Sequence, residues 1–66
     1  MRIQVNGDTH ELPDGLSVAG LLERLKIEPL RAAVERNKQL IRRSAHGATV
    51  LADGDAIEIV TLVGGG

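Results

Sequence analysis

Residues 2–12 read "RIQVNGDTHEL", and how they fold decides how the rest is read. Ile3 and Val5 alternate with Arg2, Gln4 and Asn6, which is the period of a half-buried strand. Asn6-Gly7 follows at once, and both residues tolerate the positive φ of a tight two-residue turn. "THEL" is then the return strand, so the chain opens with a β-hairpin.

Outward from the hairpin, "PDG" at residues 13–15 is a turn cluster. Ser17 can cap a helix by accepting a backbone N–H bond. In "SVAGLLERLK", residues 17–26, Val18, Leu21, Leu22 and Leu25 fall at i, i+3, i+4 and i+7 and make one apolar face. Lys26 stands in the expected last turn, where a cation suits the helix dipole. Gly20 lowers helix propensity, which suggests that another element approaches there. Pro29 ends the helical pattern after Ile27.

Residues 30–37, "LRAAVERN", read as a third strand, with Ala32 and Val34 on one face and Ala33 and Glu35 on the other. Asn37-Lys38 is a turn and "QLI" a short fourth strand. Residues 42–56 are mostly irregular, with a turn at Asp53-Gly54-Asp55. "AIEIVTLV", residues 56–63, is the last strand. The order ββαβββ with one helix is a two-layer α+β solution. The first and last strands can lie side by side in the middle, because the helical crossover permits a parallel pairing. The predicted core is Ile3, Val5, Leu12, Val18, Leu21, Leu22, Leu25, Val34, Leu40, Ile57 and Ile59.

The composition limits the function. A chain of 66 residues is one small domain, burying only roughly 60% of its unfolded surface, with no room for a deep catalytic cavity. It has no cysteine, which removes disulfides and thiolate zinc sites. It has no Phe, Tyr or Trp, so bases cannot stack on it as they do on single-strand binders. A net charge of −1 gives no general attraction to nucleic acid or acidic membranes. No apolar run approaches the roughly 20 residues needed to span a bilayer. A cytoplasmic protein with no nucleic-acid or membrane partner, monomeric when free, is expected.

Catalytic and metal constellations are weak. His10 and Glu11 are adjacent but His46 is remote, and none has ligand spacing; the expectation is solvated surface residues and no metal. Ser44 and His46 sit on a polar loop without a pocket, and Ser17 is used as a cap. Arg42 and Arg43, with Arg36 and Lys38 nearby, form either a solvated loop or a patch for an acidic partner. Glu58 should face solvent, and Val60 and Leu62 share its face. Two aliphatic residues there are either a docking surface or are covered by a loop.

The chain given ends "TLVGGG". Glycine offers only its backbone, so the terminal carboxylate becomes the candidate working group. "VERNKQLI" and "DGDAIEIVTLVGGG", with the early hairpin and the "SVAGLLERL" helix, resemble the ThiS family, the sulfur carriers of thiamine biosynthesis. The likeness covers the whole chain. It implies a ubiquitin-like β-grasp fold, a mixed sheet of about five strands with one helix across it, over residues 1–63. Residues 64–66 would be a flexible glycine tail.

The resemblance also implies a cycle. An E1-like adenylating enzyme of the ThiF type would use ATP to activate the Gly66 carboxylate, with no cofactor bound to the carrier itself. Sulfur from a donor such as a cysteine desulfurase would convert it to a thiocarboxylate. Thiazole synthase, of the ThiG type, would take the sulfur. Gly64 and Gly65 would enter the partner's active site, and Glu58, Val60 and Leu62 would dock. The chain would be no enzyme but a carrier and a substrate. Carriers of other pathways, such as molybdopterin synthesis, also end in Gly-Gly. A non-covalent β-grasp binding module with a glycine linker is the rival from a different class, since a small enzyme would need groups that the sequence lacks.

Overall fold

The computed structural model describes residues 1–62. Strands β1 (Arg2–Val5) and β2 (Asp8–Glu11) form the opening hairpin. Helix α1 (Val18–Arg24) follows. A second hairpin joins β3 (Ala32–Arg36) to β4 (Gln39–Ile41), and β5 (Ala56–Thr61) closes the fold. The sheet order is β2-β1-β5-β3-β4. β5 is parallel to β1 and antiparallel to β3, so the expected central pairing of first and last strands is present.

Both hairpins turn through two residues with positive φ. Asn6 (49°) and Gly7 (87°) make the first turn, and Asn37 (51°) and Lys38 (69°) the second. Such turns match the right-handed twist of their strands. They fix the registers Val5↔Asp8 and Arg36↔Gln39.

The helix begins where Ser17 Oγ accepts from Gly20 N–H at 3.0 Å. Two further first-turn donors, Val18 and Ala19 N–H, go to the carbonyls of Thr49 and His46. A helix start leaves such donors without intrahelical partners, and here the long loop supplies them. The helix is shorter than the sequence suggests. Lys26 lies beyond it at φ 58°, and Ile27 N–H bonds back to the Leu22 carbonyl at 2.9 Å. This is a Schellman ending with lysine in the place glycine usually takes. The close approach at Gly20 comes from Leu16, not from a separate element: a Cβ there would lie 2.7 Å from Leu16 Cδ1.

Ile3, Val5, Leu12, Val18, Leu21, Leu22, Val34, Leu51, Ile57 and Ile59 form the core. Three expectations are corrected. Leu40 is 71% exposed, because Glu35↔Leu40 pairing puts it on Glu35's solvent face. Leu51 fills the core instead, entering from the irregular loop. Leu25 is only partly buried, packed against the cluster from the helix end. Residues Pro29–Arg31 form a 3-10 turn, so β3 starts later than residue 30. Pro29, at its first position, has no N–H to give a strand ladder.

Candidate functional site

The last strand is held more tightly than any pattern of apolar residues suggests. At the first hairpin turn, Asn6 Nδ2 donates to the Ile59 carbonyl at 3.0 Å, and Ile59 N–H donates to Asn6 Oδ1 at 2.7 Å. The side chain thereby continues the β1 ladder one step past the strand's end. At the second turn, Ala56 N–H donates to Asn37 Oδ1 at 2.9 Å. Two asparagines, each placed by a tight turn, thus clamp β5 from both neighbouring strands.

Asp55 locks the start of the same strand. It is buried, and its carboxylate accepts from Arg36 Nε at 2.8 Å, Asn37 Nδ2 at 3.0 Å and Ala52 N–H at 2.9 Å. Burial alone would raise its pKa. The bonds from Ala52, Asn37 and Arg36, with the Arg36 charge, outweigh burial and hold it below the ordinary value of 3.8. Arg36 is therefore spent on structure and leaves the basic group that the sequence suggested around Lys38, Arg42 and Arg43, which remain exposed.

Beyond the clamps, β5 shows its alternation plainly. Ile57 and Ile59 are buried, while Glu58, Val60 and Leu62 face solvent. Val60 is 61% exposed and Leu62 64%, so no loop among the described residues covers them. Leu40 stands on this outer face too. Residues 63–66, with the expected boundary at 63 and the roles expected of Gly64, Gly65 and Gly66, lie outside the described residues.

His46 is not the solvated residue the sequence suggested. It is buried, with Nε2 3.1 Å from the Ile41 carbonyl, and Nδ1 finds no hydrogen-bond partner among the described residues. The Ile41 carbonyl as acceptor makes Nε2 the protonated nitrogen. The residue ties the loop to β4. Nothing local in the sequence marks this burial, because the loop has no periodicity. Among the described residues no three His, Asp or Glu side chains gather as metal ligands. No helix described is long and apolar enough to cross a membrane.

One helix held across a five-stranded mixed sheet, with aliphatic side chains exposed along its last strand, defines a ubiquitin-like β-grasp protein. The ThiS family model matches residues 3–66. Over 65 residues the chain is 38% identical to the sulfur carrier protein ThiS of Bacillus subtilis, covering 97% of this chain and 98% of that one. The crystal structure of the thiamine biosynthesis protein ThiS from Geobacter metallireducens superposes with a TM-score of 0.85 at 36% identity, both chains fully covered. The chain belongs to the ThiS family, the ubiquitin-like sulfur carriers of thiamine biosynthesis. It is also 44% identical over 66 residues to a thiazole synthase of Magnetococcus marinus. It spans only 20% of the length of that protein and of a similar thiazole synthase from Paramagnetospirillum magneticum.

Proposed function

We infer that this chain carries sulfur as a thiocarboxylate on Gly66 and delivers it to a thiazole synthase. The observation that supports this most directly is β5 itself. It is clamped from its start to Ile59, exposes Val60, and leads through the exposed Leu62 in sequence into three glycines.

The chemistry follows from the poor reactivity of a carboxylate, whose charge repels nucleophiles. A Gly66 carboxylate oxygen attacks the α-phosphorus of ATP on an adenylating enzyme, and pyrophosphate leaves. The mixed anhydride has lost the carboxylate charge and gained AMP as leaving group. A sulfur donor attacks the acyl carbon and AMP departs. With a persulfide donor such as a cysteine desulfurase provides, a thiol then cleaves the S–S bond, leaving the thiocarboxylate and a disulfide. The thiocarboxylate sulfur is anionic and nucleophilic, as thiolates are, and attacks the synthase-bound precursor of the thiazole. The absence of Cβ atoms at Gly64, Gly65 and Gly66 suits passage through a channel that admits only backbone.

The test is intact-mass spectrometry of the chain after incubation with ATP, an adenylating enzyme, a cysteine desulfurase and cysteine. One oxygen replaced by sulfur, localised to Gly66, is the expected result. An unchanged mass with functional partners overturns the reading and leaves a non-covalent binding module in its place.

A further inference from the structure

The outer face of the sheet carries an arrangement that works against the fold. Glu35 on β3 and Glu58 on β5 stand directly opposite each other. The ladder bonds at either end, Leu62 N–H to the Arg31 carbonyl and Asn37 N–H to the Ala56 carbonyl, make theirs a hydrogen-bonded pair, with Cα atoms about 5.5 Å apart. Like charges directly opposite destabilise a sheet. Neither carboxylate is relieved by a cation among the described residues. Arg36 pairs with Asp55 and Arg2 with Glu11.

Exposed aliphatic side chains share this outer face with the pair. Leu40, paired with Glu35, is 71% exposed, and Val60 and Leu62 are 61% and 64% exposed. A partner covering them would exclude water from the two carboxylates, which strengthens any charge pairing made there. A guanidinium suits the place best, since its planar fork can bond two carboxylate groups at once.

We propose that Glu35 and Glu58 together receive a cationic side chain of the thiazole synthase, whose apolar surface packs on Leu40, Val60 and Leu62. This rests on the sulfur-carrier reading. Two observations select the occupant. Relatives named thiazole synthase carry a segment like this chain over 20% of their length, and such linkage raises the effective concentration of one surface for the other, so that even a modest contact between them is occupied. Gly66 is the fourth residue after Leu62, a reach of at most about 14 Å. An enzyme that takes Gly66 therefore comes within that reach of Leu62 and the end of β5.

The experiment measures the calorimetric affinity of the full chain for thiazole synthase of the same organism, alongside the carrier's melting temperature. In E35Q/E58Q the repulsion is gone, so the melting temperature should rise or hold, while affinity falls about tenfold or more. The salt dependence of binding should flatten. Glu58→Lys should stabilise the fold by pairing with Glu35 and weaken docking further. Affinity equal to wild type in both variants overturns the proposal, as does stability that falls in parallel with affinity. If wild type acquires the thiocarboxylate while the variants bind normally, the docking proposal alone is lost. If wild type acquires no sulfur, both are lost.

Discussion

At the residue scale, Asp55 links stability to pH most clearly among the described residues. Its carboxylate ties β5 to Arg36, Asn37 and the backbone of Ala52, and its pKa is lowered in the folded state. A lowered pKa means the unfolded chain takes up the proton first. The stabilisation is fully present above the unfolded value of about 4. It is lost as pH falls through the lower folded value. Asp55→Asn should cost about 1.5–3 kcal/mol at pH 7, the range for hydrogen bonds to a charged group. Urea melts at pH 7 and near pH 3 check this: the gap between variant and wild type should narrow at the acid end. An equal gap at both would place the loss in shape rather than charge. Asn6 and Asn37 belong to the same scale. Their turn roles are legible from the Asn-Gly and Asn-Lys dipeptides, but their bonds to Ile59 and Ala56 depend on which strand lies beside each turn.

At the element scale, α1 is short, and its Ser17 cap and buried face share the work. Ser17→Ala should lower stability by about 1 kcal/mol. Leu22→Ala, at a side chain with no exposed surface, should cost on the order of 2–5 kcal/mol. In so small a domain that is a large share of the total, and thermal melts should rank the two in this order. The strands and helix were legible because each carries its own period: two for Ile57 and Ile59, 3.6 for Val18, Leu21 and Leu22. Leu40 was misplaced because its own segment is too short to show a period. Register carried across the two-residue turn, from Arg36↔Gln39 to Glu35↔Leu40, assigns it to the outer face. Leu51 and His46 had no comparable route, since both reach the interior from a loop whose path is set by tertiary contacts. Of the candidate site, the alternation that leaves Glu58, Val60 and Leu62 exposed was legible in the sequence. The opposition of Glu35 and Glu58 needed the pairing of β3 with β5.

At the scale of the whole molecule, the part of β5 that holds the fold is separate from the part to which the proposed sulfur delivery is assigned. Its buried residues, Ile57 and Ile59, and the Asn6, Asn37 and Asp55 clamps all lie before Val60. Val60→Ser and Leu62→Ser should therefore move the melting temperature little, exposed positions usually counting for less than about 0.5 kcal/mol, while weakening partner binding in a pull-down or calorimetric titration. Unfolding of both variants would mean that these side chains are covered in solution. The same division governs the terminus. Among the described residues every member of the core cluster lies at or before Ile59, so deleting Gly65 and Gly66 should leave the circular dichroism melt unchanged and abolish sulfur acquisition. Appending one residue after Gly66 should do the same, because the activated group would no longer be a glycine carboxylate. Gly65→Val should reduce adenylation far more than stability, since it places a branched Cβ where only backbone is expected to pass. Each variant is assayed twice, by melting and by intact mass after incubation with the adenylating enzyme, ATP and the sulfur donor. A truncated or extended chain that still supports thiazole formation would move the reacting group away from Gly66 and leave the clamped strand as a binding surface alone.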